Sequence, residues 1–169
     1  AISLITDIDV NLIFYVENKK RVYEYLNKKF GNEKNIKQFL NSFYLKEMEK
    51  KKWITLKDKE SYVQNSIDLL NYLNVVNFDT LDNYLEERVL YKKKDDANLK
   101  KIYLWIKRCD TITYNQEVSN YNKDKLNLLL EELKEERNKE FNINRLIKLF
   151  NKYGIYLVIE DALDGTKVR

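Results

Sequence analysis

The sequence predicts a mainly α fold: a multi-helix, bundle-like domain followed by the start of an α+β domain, marked by one C-terminal strand. Three observations predict it. Proline is absent and only three glycines occur, Gly31, Gly154 and Gly165, which removes the punctuation of a many-stranded barrel and favours helices joined by polar turns. Apolar residues recur at helical spacing along most of the chain. The exception is Ile155 to Ile159, five consecutive apolar residues, three of them β-branched, lying between Gly154 and an Asp-Gly pair at Asp164 and Gly165. That is the pattern of a buried-type strand.

Each helix follows from local signals. Asp9 is placed to cap a first helix that carries Val22, Tyr25 and Leu26 towards Phe30, and Gly31 supplies its stop. Asn32 opens a second, in which Ile36, Phe39, Leu40 and Phe43 repeat at helical spacing and Leu45 and Met48 continue it; the lysines at 50, 51 and 52 suit its C-terminus, just before Trp53. Thr55 to Asp58 reads as a connection. Tyr62, Val63, Ile67, Leu70 and Leu73 define a third helix closed by Asn74, and Thr80 caps a short fourth with Leu81, Tyr84 and Leu85. Lys92 to Asp96 is a charged, solvated linker.

A fifth helix is predicted from Asp96 to Cys109, with Leu99, Ile102, Tyr103, Trp105 and Ile106 as its apolar face, then a polar irregular stretch over Asp110 to Asn122. A sixth, near Lys123 to Lys139, carries Leu126, Leu129, Leu130 and Leu133 on one side, while its glutamates face Lys134, Arg137 and Lys139. Pairs of that kind contribute only about 0.2–0.5 kcal/mol each, so the leucine stripe is the predicted anchor. Asn142 caps a seventh helix with Ile143, Leu146, Ile147 and Phe150 as its stripe and Gly154 as its stop. The strand that follows has no obvious partner in the sequence, so its ladder groups ask for neighbours from elsewhere, as in a piece of a longer polypeptide.

Composition narrows the function classes. With 169 residues, 44% of them hydrophobic, the chain has enough apolar material for a core. Thirty-one Lys and Arg against 27 Asp and Glu leave a net charge of +4 spread along the length, so a continuous nucleic-acid surface is not demanded. The single cysteine, Cys109, forms no internal disulfide, and no apolar run is long enough for a membrane span or a signal, which implies a cytoplasmic location. Histidine is absent, which removes a Ser-His-Asp triad, a Cys-His dyad and any histidine-containing zinc site. Neither phosphate-loop glycine pattern occurs. No catalytic, cofactor-binding or metal-ligating residue is assigned, no cofactor is implied, and the chain is read as no enzyme.

Five stretches, in order, carry a family likeness: Trp53-Ile54; Asn-Tyr-Leu-Asn-Val-Val at Asn71 to Val76; Lys-Ile-Tyr-Leu-Trp-Ile-Lys-Arg at Lys101 to Arg108; Tyr-Gly-Ile-Tyr-Leu-Val-Ile at Tyr153 to Ile159; and Leu-Asp-Gly-Thr-Lys-Val-Arg at Leu163 to Arg169. Together they resemble the region upstream of the zinc site in helix-turn-helix regulators fused to an ImmA/IrrE-type metallopeptidase domain. Thr6 to Asn18, ending Ile-Phe-Tyr-Val-Glu-Asn, is similar to the last helix of the DNA-binding module in such fusions. The resemblance implies three parts: residues 1–30 as the tail of a DNA-binding-like helical module, 31–139 as a helical connecting domain, and 140–169 as the helix and first strand of an incomplete ImmA/IrrE-like domain.

In that family a helix bearing H-E-x-x-H follows the strand, with two zinc ligands and a glutamate base. This chain has no such motif, and no catalytic or DNA-contacting residue carries over. The implied role is that of a non-catalytic connector in a transcriptional regulator or antitoxin-type protein. Its partner would be another protein or a second copy, with DNA reached only through a separate N-terminal module. The alternative class is a free-standing helical interaction module, an antitoxin or a phage-encoded inhibitor.

Several residues invite sharper readings. Trp53 with Trp105 could stack on a ligand, though core anchors explain both. Cys109 beside Lys107 and Arg108 could sense oxidation, though a buried thiol is the simpler account. Glu131, Glu132, Glu135 and Glu136 could hold a hard cation, though carboxylates interleaved with lysines make a solvated face. Lys46 with Lys50, Lys51 and Lys52 could touch phosphates non-specifically, though a helix end accounts for them. Asp164, Gly165 and Thr166 form a turn.

Overall fold

The computed structural model describes residues 10–81 and 98–166. Among them are seven α-helices: α1 Val10–Phe30, α2 Glu33–Asn41, α3 Leu45–Lys50, α4 Tyr62–Leu73, α5 Leu99–Tyr114, α6 Leu126–Glu136 and α7 Ile143–Lys152, with a 3₁₀ turn at Lys123–Lys125. The protein is mainly helical. The expectations for Asp9, Tyr84, Leu85 and Lys92 to Asp96 lie outside the described residues. The described chain forms two compact units, one of residues 10–81, 98–105 and 162–166, the other of Ile106–Asp161. Compactness thus divides the chain at other points than the three-part division drawn from resemblance.

In the first unit, α1 stops where Gly31 takes φ 80°. Asn32 then caps α2, its side-chain oxygen accepting the Asn35 N–H. The predicted second helix does not run on to Met48: Tyr44 takes a left-handed φ of 56° and splits it into α2 and α3. Contacts remote in sequence hold Tyr44 there, with its hydroxyl accepting from Asn98 Nδ2 at 2.8 Å and the Lys101 ammonium 4.3 Å above its ring. The split lets Leu45 and Met48 be buried along with Ile36, Leu40 and Phe43. Phe39 lies at the centre of an aromatic cluster, its ring 4.6 Å from Phe30, 5.1 Å from Phe43 and 5.0 Å from Phe78.

Helix α4 ends at Asn74 as its sequence predicts, and its start is set by a cap not assigned from the sequence. Ser61 accepts the Gln64 N–H at 3.2 Å, and Asn74 closes the helix at φ 54°. It buries Ile67, Leu69, Leu70 and Leu73, together with the polar Gln64, Ser66 and Asp68. Tyr72 on its flank donates to the Leu104 carbonyl at 2.9 Å. Elsewhere in this unit the Tyr25 hydroxyl accepts the backbone N–H of Phe78 at 3.0 Å. Burial is the main cause that raises the pKa of that phenol.

In the second unit, α5 continues past Cys109 to Tyr114, through a stretch whose sequence predicts irregular backbone. Thr111 and Thr113 are helical, with their hydroxyls bonded back to the Lys107 and Asp110 carbonyls at 2.9 and 2.8 Å. Helix α6 begins later than predicted, after the 3₁₀ turn, and ends earlier, at Glu136. Of its leucines only Leu129 is buried; Leu126 and Leu133 are half-buried and Leu130 is exposed. Helix α7 starts at Asn142, which accepts the Arg145 N–H at 3.1 Å. Its predicted stripe, Ile143, Leu146, Ile147 and Phe150, is half-buried, and Leu149 beside it is the buried residue, which packs with Leu129 and Tyr153; Phe150 and Ile155 lie against that core.

The C-terminal strand is not formed. No strand occurs among the described residues. From Ile155 to Leu163 the backbone runs without helix, turn or bend, which is an extended course, but without a ladder there is no sheet.

Candidate functional site

The residues that sequence singled out do not gather into one site. Trp53 is buried and Trp105 half-buried. Cys109 is half-buried and forms no disulfide. Its neighbour Arg108 directs its charge to Glu160, 3.6 Å away. Lys50 is the last residue of α3, Lys51 caps it and Lys52 takes φ 59°, so the lysine run is a helix end. Asp164 and Gly165 form the expected turn, with Gly165 at φ 70° and the Thr166 N–H returning to the Leu163 carbonyl at 3.0 Å. That turn is tied by Lys101, which donates to the Asp164 carbonyl, and by Glu47, which accepts the Asp164 N–H.

In the acidic stretch of α6, Glu131 and Glu135 are solvated as expected, while Glu132 and Glu136 form two clasps on α7. Glu132 accepts from Lys152 Nζ at 2.7 Å and from the Tyr153 hydroxyl at 2.6 Å. Those bonds, that to Lys152 first, hold its carboxyl below the usual glutamate pKa, and the bond to Glu132 is the main cause that raises the Tyr153 phenol. Glu136 binds Lys139 at 2.6 Å and Arg145, and its pKa is lowered mainly by Lys139. Lys134 and Arg137, which the spacing paired with these glutamates, make neither contact. Both clasps are exposed, so they set the register of α6 on α7 more than they stabilise it.

A cavity of about 210 Å³ lies against Leu40, Leu45, Leu56 and Tyr62, with Lys37 and Lys46 at its lip. It is smaller than the roughly 300–1,000 Å³ of ordinary ligand pockets, and its Lys59 is paired with Glu49 at 2.8 Å.

The feature that does collect chemistry is the extended segment after Gly154, through the backbone rather than through side chains. Gly154 is obligatory here. Its φ is 79°, and a Cβ would overlap the backbone of Tyr121 and come within 2.9 Å of Asn120. One edge of the segment is clamped. The Ile155 N–H donates to the Phe150 carbonyl at 3.1 Å, and Gln116 Nε2 donates to the Leu157 carbonyl at 3.3 Å. Oriented to donate, the Asn151 amide bonds Gln116 Oε1 and the Ile155 carbonyl, each at 3.1 Å. In an extended chain the N–H and C=O of one residue point to the same side and those of the next residue to the other. The clamp therefore takes the side of Ile155 and Leu157, and leaves that of Tyr156 and Val158.

Exposed large apolar side chains occur at several points of the chain, among them Leu12, Phe14, Tyr15 and Val16 in the first half of α1, Val76, Tyr114 and Phe141, and, after Gly154, Tyr156 and Ile159, 54% and 66% exposed. The sequence singles out the segment as a strand, which is not formed here, and gives no sign of the clamp, since Gln116 is 41 residues from Leu157. No helix among the described residues is long and apolar enough to cross a membrane, and among them no group of three or more Cys, Asp and Glu side chains is arranged to hold a metal ion. Comparison with known families, with curated proteins and with solved structures yields no match to this chain.

Proposed function

We propose that the chain is a non-catalytic helical connecting region of a transcriptional regulator or antitoxin-type protein. It couples a DNA-binding end to an ImmA/IrrE-like peptidase end and offers a surface to a protein partner or a second copy. In this reading Ile155 to Ile159 is the first strand of the α+β domain. The reading rests on the sequence resemblance, and one structural observation favours it: the exposed apolar side chains include Leu12, Phe14 and Val16 on α1 and Tyr156 and Ile159 after Gly154. Those are the two places where the resemblance puts a neighbouring module.

The deciding experiment is to read the coding frame on both sides of this segment and to assay the encoded protein as a regulator. An in-frame H-E-x-x-H downstream and a helix-turn-helix upstream are expected, with operator binding lost when α1 carries Leu12→Glu and Val16→Glu. Stop codons close to both ends would overturn the proposal. Cleavage of a repressor by these 169 residues alone would do so as well.

A further inference from the structure

We infer that the free edge of the Ile155 to Ile159 segment pairs with the same edge of a second copy of this chain, as a two-stranded antiparallel ribbon centred on Leu157.

The backbone says what kind of group covers this edge. Among the described residues, none is hydrogen-bonded to Tyr156 or Val158, either through the main chain or through the side chain. Ile155 and Leu157 are occupied on the opposite side by Phe150, Asn151 and Gln116. Two N–H donors and two C=O acceptors, spaced one residue apart on the outer side, match an extended peptide and nothing smaller. The segment has β-branched and aromatic residues and no charge, so nothing in it blunts the edge.

Two further features select a second copy. Pairing about Leu157 sets Tyr156 of each strand against Val158 of the other. Both then exchange N–H and C=O bonds, so every outward group is satisfied by four bonds. The same register sets Ile155 against Ile159, covering the two exposed side chains Tyr156 and Ile159 with apolar partners. Antiparallel strands also keep Glu160 and Asp161 of one copy away from those of the other, whereas parallel strands would set acid beside acid. An isologous contact of this kind closes after two chains.

This inference deepens the proposed function by assigning its dimerisation surface, and it is tested separately. The test is light scattering and amide exchange on the 169-residue chain over a concentration series. The apparent mass is expected to rise towards twice the monomer value. Exchange at Tyr156 and Val158 slows in step, while the Ile155 amide, bonded to Phe150, is protected throughout. Val158→Pro, which deletes one outward donor at an extended position, is expected to abolish dimerisation and leave the helical circular dichroism unchanged. The inference is overturned by a chain that stays monomeric with Tyr156 and Val158 exchanging freely, or by a dimer indifferent to Val158→Pro. Protection of these amides only on adding a different protein also overturns it. Any of these leaves the reading-frame test of the connector role standing.

Discussion

On the buried face of α4, Gln64 Nε2 donates to Asp68 Oδ1 at 2.9 Å, one helical turn away. The pair is the middle of a chain of four groups: the Tyr15 hydroxyl donates to Gln64 Oε1 at 2.9 Å, and Asp68 Oδ2 accepts the Lys57 N–H at 2.9 Å. The network ties α1 and the segment before α4 to a single helix. Each buried donor left without a partner costs about 1–3 kcal/mol. Asp68→Ala orphans both the Gln64 amide and the Lys57 N–H, and is expected to cost about 2–4 kcal/mol. Adding Gln64→Ala on top should cost less than the two single losses together, because one of the orphans is then removed. Strict additivity in urea denaturation would show that the two side chains do not act as a pair.

Two glycines share one backbone conformation and differ in surroundings. Gly31 has φ 80° with open space where a Cβ would lie, whereas at Gly154, φ 79°, that space is filled by the backbone of Tyr121 and Asn120. Gly31→Ala should cost only the left-handed strain, about 1 kcal/mol. Gly154→Ala adds overpacking against a backbone that cannot rotate away, for about 2–4 kcal/mol in all. Equal losses for the two variants in chemical denaturation would remove close packing as the reason for glycine at 154.

These positions also mark how far the sequence carries. Helix ends at Gly31, Asn32, Asn74, Asn142 and Gly154 are readable because a cap or a positive φ is decided within a few residues. The break at Tyr44 is not, since a tyrosine enters the left-handed region only when distant groups, here Asn98 and Lys101, hold it there. The continuation of α5 to Tyr114 is hidden for a different reason: Asp110, Thr111 and Thr113 read as turn formers, and only their bonds to the preceding turn show that they stay helical. In the candidate site, the apolar run after Gly154 is legible from composition. Which of its edges is occupied depends on Gln116 and Asn151, and residue spacing holds no trace of that pairing.

The second unit has a small core. Leu129, Leu149 and Tyr153 are its buried cluster, with Leu126, Leu133, Phe150 and Ile155 packed around them. Leu149→Ala should therefore cost about 2–5 kcal/mol, the range for a buried leucine whose site cannot collapse. Leu130→Ala, on the exposed side of α6 at 55% exposure, should fall within about 0.5 kcal/mol of the parent. The measurement is thermal unfolding of both variants. A larger loss at Leu130 than at Leu149 would mean that the side of α6 carrying Leu130, rather than the one carrying Leu129, faces the core.

The clasp between Glu132 and the end of α7 predicts a pH dependence whose sign follows from the direction of the shift. Lys152, and after it Tyr153, lower the Glu132 pKa in the folded chain. In the unfolded chain the same carboxyl titrates near the ordinary value, about 4.3. Below that value the unfolded state binds more protons than the folded one. The contribution of Glu132 is thus complete above about pH 4.3 and is lost as pH falls through the lower folded value. Glu132→Gln keeps an acceptor for the Tyr153 hydroxyl but removes the charge. The stability difference between parent and variant should be widest from about pH 5 upward and close towards acid. It should also shrink with added salt, because Lys152 and Glu132 are exposed, 60% and 37% at the side chain. A difference that held constant from neutral to strongly acid pH would mean that the carboxylate is not held by the Lys152 ammonium, and that hydrogen bonding to Tyr153 alone sets the register of the two helices.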